Sequence, residues 1–134
     1  MVKRRILFAC TENSCRSQLA EAFARMADRL DLEIYSAGSS PSGAVHPRVI
    51  AYLLSRGYDP SGHRSKSLTE VPPGPYDWVI TFLCGEECPQ VQAHHREDWP
   101  IPDPKNLPEP EFLQICSTIE QKVAHLLSKL PSTP

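Results

Sequence analysis

The segment Arg5-Ile6-Leu7-Phe8-Ala9 is apolar without a break after its first residue and stops at the polar stretch Thr11-Glu12-Asn13-Ser14. A strand with one wet face alternates apolar and polar residues; a short unbroken apolar run suits a strand covered on both faces of a parallel sheet. From Ser17 the period changes. Leu19, Phe23, Met26 and Leu30 recur at helical spacing, with Glu21, Arg25 and Asp28 between them, which predicts an amphipathic helix. A strand, a tight polar loop and a helix therefore follow one another directly.

The pattern then repeats. Glu33 to Ala37 reads as a second strand, ended by Gly38-Ser39-Ser40-Pro41-Ser42-Gly43, and Val45, Val49, Ile50, Leu53 and Leu54 mark a second helix closed by Gly57. Asp77 to Leu83 is the third strand, a short fourth is expected near Arg96 to Trp99, and Phe112, Ile115, Ile119, Val123, Leu126 and Leu130 form a closing helix. Fourteen prolines, eleven of them from Pro72 onward, make the second half rich in loops. Alternating strands and helices within 134 residues predict a single domain spanning 1–134, an α/β fold built as a small doubly wound four-stranded parallel sheet with helices on both faces. Ligands of such sheets bind at the carboxyl ends of the strands, which directs attention to the loops after Ala9 and after Leu83.

Charge and cysteine content narrow the function. Fourteen Lys plus Arg against sixteen Asp plus Glu leave a net charge of −2, so no field exists to hold polyanionic nucleic acid. The basic start Met1-Val2-Lys3-Arg4-Arg5 is followed only by Ile6 to Cys10 before the apolar run ends, too short for a signal peptide or a membrane span. The expected setting is cytoplasmic, without nucleic acid or membrane as partner. In a reducing compartment five cysteines, an odd number, point to catalysis, redox chemistry or metal binding rather than to a closed disulfide framework.

The loop Cys10-Thr11-Glu12-Asn13-Ser14-Cys15-Arg16-Ser17 sits between the first strand and the first helix. A loop of this size closing onto a helix N-terminus turns successive backbone N–H groups inward and forms a nest for a tetrahedral oxyanion, supported by the helix dipole. Arg16 can clamp two oxygens bidentately. The same field favours thiolate over thiol at Cys10, a nucleophile at neutral pH. Ser17 can donate to the sulfur, and Asn13 tolerates left-handed backbone. No Gly-x4-Gly-Lys-Ser/Thr segment is present, so a nucleotide-binding loop of that type is not supported.

Cys84 and Cys88 follow the third strand, at the sheet edge where the Cys10 loop also lies, so three cysteines can meet at one site. Zinc held by Cys84, Cys88, His94 and His95 is a competing reading, but adjacent histidines are poorly spaced for a tetrahedral site. Cys116 falls on the apolar stripe of the last helix and reads as core. Asp103 lies between Pro102 and Pro104, which stiffen the backbone around it and suit a carboxylic acid held over a leaving oxygen. His63 and Arg64-Ser65-Lys66-Ser67 form a small basic patch.

Over nearly its whole length the chain resembles the low-molecular-weight protein tyrosine phosphatase superfamily and, within it, the arsenate reductases recycled by a thiol donor. The likeness rests on the Cys10 loop continuing Arg16-Ser17-Gln18-Leu19-Ala20-Glu21-Ala22, on Tyr35-Ser36-Ala37-Gly38, His63-Arg64-Ser65-Lys66-Ser67-Leu68 and Cys84-Gly85-Glu86-Glu87-Cys88-Pro89, and on Trp99-Pro100-Ile101-Pro102-Asp103-Pro104. The resemblance implies strand order 2-1-3-4 and a cofactor-free monomeric enzyme. In it Cys10 is the nucleophile, Ser17 supports the sulfur, and Arg16 with the loop residues Thr11, Glu12, Asn13, Ser14 and Cys15 binds arsenate or phosphate. Asp103 is the general acid. Cys84 and then Cys88 carry the oxidation to thioredoxin or glutaredoxin.

Weak phosphatase activity is implied as a side reaction. The alternatives are a tyrosine phosphatase using Cys10, Arg16 and Asp103 alone, and a non-enzymatic oxyanion- or zinc-binding thiol sensor. Cys15 either pairs with Cys10, as in some relatives, or packs under the loop. The sequence departs from the family at four places. Only three residues separate Cys84 from Cys88, fewer than in the best-known thioredoxin-coupled pattern. Lys66 stands where some relatives carry an aspartate that helps bind potassium with residues matching Asn13, Glu21 and Ser36. Glu12 replaces a frequent glycine, so its carboxylate must either point away from a bound dianion or weaken its binding. Lys105-Asn106 replaces the aromatic pair that helps line the phosphatase pocket.

Overall fold

The computed structural model describes residues 3–82 and 91–130. Strands β1 (Arg4–Cys10), β2 (Leu32–Gly38), β3 (Tyr76–Thr81) and β4 (Ala93–Asp98) alternate with helices α1 (Arg16–Met26), α2 (Pro47–Ser55) and α3 (Glu109–Ser128), and 3-10 turns occupy Pro60–Gly62 and Leu68–Glu70. The four strands form one sheet in the order β2-β1-β3-β4, and every pairing is parallel. The four-stranded parallel sheet in this order is as expected; helices on both faces are not seen among the described residues, where all three α-helices cover the face presented by Ile6 and Phe8 and the 3-10 turn at Leu68–Glu70 lies over the other, because only that face carries the long apolar stripes of the helices.

β1 is central because it is the strand apolar on both faces. Ile6 and Phe8 enter a core with Leu19 and Phe23 of α1, Val49 and Leu53 of α2, and Phe112, Ile119 and Val123 of α3. Leu7 and Ala9 face the other way, packing with Ala37, Val71, Tyr76 and Val79 beneath the turn at Leu68–Glu70. Completely burying a side chain such as Phe8 contributes roughly 1.5–3 kcal/mol.

β3 runs Tyr76–Thr81 where Asp77 to Leu83 was expected, and three further features differ from the sequence expectation. The helical stripe of α1 does not reach Leu30, which is 84% exposed; the helix stops at Met26 and the chain turns out through Asp28 at φ 52°. Ile50 and Leu54 of α2 are exposed while Val49 and Leu53 are buried, because a helix this short presents a narrow seam to the core. β4 begins at Ala93, three residues before the expected start, and is largely exposed along its length. It is defined by ladder pairing with β3, not by burial, so no apolar pattern announces it. Gly57, as expected, follows the end of α2 at φ 81°.

Asp28 occupies the left-handed position after a helix end, where glycine is favoured. Asp28→Gly is therefore expected to raise stability by about 0.5–1 kcal/mol, measurable as a shift of the urea midpoint at unchanged slope.

Candidate active site

The register pairs Cys10 with Gly38 at the carboxyl ends of β1 and β2, and the loop that follows Cys10 is held by its carbonyls. Cys10 O accepts from Ser39 N (3.3 Å), Thr11 O from Ser40 N (2.8 Å), Glu12 O from Ser42 N (3.0 Å), Ser14 O from His46 N (3.1 Å) and Cys15 O from Leu19 N (2.9 Å). Ser65 Oγ also donates to Glu12 O at 2.9 Å, and Gln18 Nε2 to Asn13 O at 3.1 Å. In a trans peptide the carbonyl of one residue and the N–H of the next point in opposite directions. Six carbonyls turned outward from Cys10 to Cys15 thus turn the N–H groups of Thr11 through Arg16 inward. The result is an anion nest at the N-terminus of α1.

Asn13 makes the turn possible, at φ 51° and fully buried. Its Oδ1 accepts from Lys66 N and Gln18 Nε2, each at 3.0 Å, which leaves Nδ2 to donate to Ser17 Oγ at 2.7 Å. Ser17 Oγ lies 2.8 Å from Cys10 Sγ. With that oxygen already accepting from Asn13, the serine proton is directed at the sulfur, where it stabilises negative charge. Cys10 itself is 4% exposed.

Behind this set Gln18 donates to Arg64 O at 2.9 Å, so its Oε1 accepts from His63 Nδ1, 2.9 Å away. His63 Nε2 then accepts from the Tyr58 hydroxyl at 2.6 Å. Burial pushes the His63 imidazole below its ordinary range despite the nearby Glu21 carboxylate, in keeping with a neutral ring in this tautomer.

Glu21, also buried, accepts from Ser36 Oγ (2.5 Å) and Arg25 Nε (2.8 Å). Lys66 Nζ stands 3.7 Å from Glu21 Oε1 and donates to Ser36 Oγ at 3.2 Å. Lys66 thus places an ammonium beside Glu21 and Ser36. Burial lowers the Lys66 ammonium from its usual range, with Glu21 opposing the shift.

A second loop closes the site from the other side. Trp99 is packed against Phe8 and Phe82 at ring separations of 6.1 and 5.6 Å, and its backbone N–H donates to Thr81 O at 2.8 Å. This anchor launches the segment carrying Asp103, whose Oδ1 accepts from Lys105 N at 3.1 Å. Arg16 Nη1 donates to Phe82 O and Ile101 O, both at 3.0 Å, so the guanidinium joins the nest to this loop. Its Nε and Nη2 have no partner among the described residues. Glu12 is turned out of the nest: Lys105 Nζ binds its two oxygens at 2.9 and 3.0 Å.

Arg48 holds the acid-bearing loop from α2. Its Nη1 donates to the carbonyls of Pro104 (3.4 Å), Lys105 (3.2 Å) and Leu107 (2.6 Å), its Nη2 to Glu109 at 3.1 Å, and its guanidinium lies 4.3 Å from the Phe112 ring centroid. Cys15 caps α1 as a buried free thiol pushed up to about 11 by burial, and Cys116, fully buried, to about 12 for the same reason. Neither is poised as a nucleophile at neutral pH.

Cys10, Thr11 through Ser17 and Asp103 are therefore brought to one end of the sheet. Cys84 and Cys88 lie outside the described residues. His94 and His95 are on β4, away from that end, and His95 is stacked on Trp78 at 4.6 Å. Sequence reasoning placed Ser65 in a stretch that supports the loop or attracts oxyanions, and it does hold Glu12 O; it missed the structural parts played by Gln18, Arg48 and Lys105. Only Gln18 carried a signal, as a polar residue on the buried side of a first helical turn; the other two acquire partners through contacts more than 50 positions away.

Comparison with known proteins agrees with this geometry. Residues 5–133 match the family model of the low molecular weight phosphotyrosine protein phosphatases. The chain is 32% identical over 130 residues to a glutaredoxin arsenate reductase of Synechocystis sp., covering 95% of this chain and 98% of that one. Among solved structures it superposes on an arsenate reductase in the phosphate binding state with a TM-score of 0.85 at 32% identity, over 96% and 99% of the two chains. A thioredoxin-dependent arsenate reductase of Corynebacterium glutamicum aligns with a TM-score of 0.77 at 29% identity, over 96% of this chain and 62% of that one. In fold, in the inward-facing loop and in sequence along nearly its full length, the chain belongs to the low molecular weight phosphotyrosine protein phosphatase family.

Proposed function

We propose that the protein is an arsenate reductase, acting as a monomer of one domain over residues 1–134. The observation that carries the reading is the loop whose outward carbonyls leave the N–H groups of Thr11 to Arg16 facing Cys10. That nest fits a tetrahedral oxyanion, and Arg16 supplies two further donors. Cys10 Sγ attacks arsenic; an As–S bond forms as an As–O bond breaks, and Asp103 protonates the departing oxygen so that water leaves. Cys84 then attacks Cys10 Sγ. The S–S bond forms, the As–S pair of electrons stays on arsenic, As(V) becomes As(III), and arsenite departs. Cys88 attacks Cys84 and frees Cys10, leaving a Cys84–Cys88 disulfide for a dithiol donor of the thioredoxin or glutaredoxin type.

Two observations support the relay. Phe82, two residues ahead of Cys84, has its carbonyl on Arg16, and relatives of this length carry the name arsenate reductase. Cys10, Cys15 and Cys116 are free thiols, in keeping with a reducing cytoplasmic setting. No helix among the described residues is long and apolar enough to cross a membrane.

Phosphate has the shape and charge of arsenate, so aryl phosphate hydrolysis through Cys10, Arg16 and Asp103 is the second activity the site supports. Arsenate-dependent NADPH consumption, coupled to thioredoxin or glutaredoxin and their reductases, is measured beside aryl phosphate hydrolysis. Cys10→Ser abolishes both. Cys84→Ser and Cys88→Ser remove multiple-turnover reduction and spare hydrolysis. Brisk hydrolysis with no arsenate reduction under either donor makes the protein a phosphatase; no turnover of either substrate together with bound zinc makes it a thiol sensor.

Arg48 bears on the acid step. Arg48→Ala frees the loop behind Asp103, and hydrolysis of phenyl phosphate, whose poor leaving group needs protonation, is expected to fall on the order of 10²-fold. Hydrolysis of 2,4-dinitrophenyl phosphate, which needs little proton donation, falls far less.

A further inference from the structure

Glu12 and Lys105 face each other across the entrance to the nest. Glu12 lies two residues after Cys10, and its carbonyl is held by Ser42 N and Ser65 Oγ. Lys105 lies two residues after Asp103, and its carbonyl is held by Arg48. Both backbones are fixed, so the bridge between their side chains is preorganised. Lys105 Nζ meets both oxygens of Glu12 and stands 3.8 Å from Asp103 Oδ2. Cys10 itself is nearly inaccessible, and the bridge ties the loop that follows it to the loop that carries Asp103.

We infer that the Glu12–Lys105 ion pair is a selectivity bar that admits free inorganic oxyanions and disfavours aryl phosphate esters. The inference rests on the roles assigned above to Cys10 and Asp103. Displacement at the centre attacked by Cys10 sends the leaving oxygen out opposite the sulfur, toward Asp103 and hence toward Lys105. On free arsenate that oxygen carries at most a proton and reaches the rim without disturbing it. On an aryl ester it carries a ring that must lie against two charges whose side chains are 39% and 31% exposed and hydrated. An apolar ring strips water from both charges and returns no hydrogen bond. An exposed pair of this kind contributes little to folding stability, so its removal changes selectivity more than it changes the fold.

The test compares kcat/KM for p-nitrophenyl phosphate with the inhibition constant of inorganic phosphate in the same assay. Lys105→Met combined with Glu12→Gln is expected to raise ester turnover relative to phosphate affinity about tenfold, equivalent to about 1.4 kcal/mol. Singly, Lys105→Met weakens phosphate by baring the Glu12 carboxylate, and Glu12→Gln tightens it by releasing the ammonium. Lys105→Arg preserves the pair and keeps the wild-type ratio. A ratio unmoved or lowered in the double variant, or moved equally by Lys105→Arg, overturns the inference. If Cys10→Ser still hydrolyses the ester, the underlying site reading fails instead; if it is inactive while the ratio stays fixed, that reading stands and the bar alone is wrong.

Discussion

Gly38→Ala is expected to lower turnover of arsenate and aryl phosphate by at least 10²-fold. A Cβ at this position would stand 2.5 Å from Thr11 O and 2.9 Å from Asn13 N, and both contacts are backbone, which cannot swing aside as the end of a side chain can. The N–H of Asn13 is one of the nest donors, and its peptide also carries the left-handed turn. Relieving the clash displaces the loop from its carbonyl anchors, and a shift of roughly 1 Å at reacting groups costs about 10²-fold in rate. The overpacking itself costs about 1–3 kcal/mol. Urea unfolding and kinetics on one preparation check both effects. A variant with wild-type kinetics shows that the loop tolerates movement and that its geometry is not what makes the site.

Glu21→Gln is expected to destabilise the protein by about 3 kcal/mol or more at neutral pH, because it leaves charged partners around a buried group without their anion. Burial pushes the Glu21 carboxyl up, but His63 once protonated in the acid range, the Ser36 hydroxyl and the Lys66 and Arg25 cations together outweigh it and hold the carboxyl below its ordinary 4.5. A folded-state value below the unfolded one means stability that is present above about pH 4.5 and is lost as pH falls through the lower folded-state value. The gap between wild type and Glu21→Gln should therefore be full at pH 7 and narrow on acidification below about pH 4.5. Equilibrium unfolding as a function of pH follows it; a gap that persists unchanged to pH 3 shows that something other than the Glu21 charge is lost.

The parts of this molecule legible in its sequence are those set by local physics. The run Ile6 to Ala9 announced a strand buried on both faces, the stripe from Leu19 announced α1, and Cys10 with Arg16 at a strand-to-helix junction announced the loop that turns its N–H groups inward. What escaped depends on tertiary neighbours. The fourth strand was expected near Arg96 to Trp99, but its start at Ala93 was not, because this edge strand of polar residues is defined by the partner it pairs with. Leu30 continued the helical period in sequence, yet the turn at Asp28 ended the helix before it. Arg48 and Lys105 became parts of the site because α2 and the 99–108 loop converge on the nest, a meeting that no spacing along the chain encodes. The Glu12 carboxylate is engaged by Lys105, a partner 93 positions away that no local pattern indicates.

The role of Cys10 as the thiol that takes up arsenate and passes its oxidation on is tested most directly by a single turnover. Fully reduced protein is mixed with one equivalent of arsenate and no external reductant, acid-quenched, and examined for arsenite and for disulfides by peptide mass mapping. The mechanism predicts one arsenite per protein and a Cys84–Cys88 disulfide, with a Cys10–Cys84 disulfide accumulating in Cys88→Ser and no arsenite from Cys10→Ser. Arsenite formed by Cys10→Ser, or wild-type protein that makes arsenite while Cys84 and Cys88 remain thiols, contradicts it.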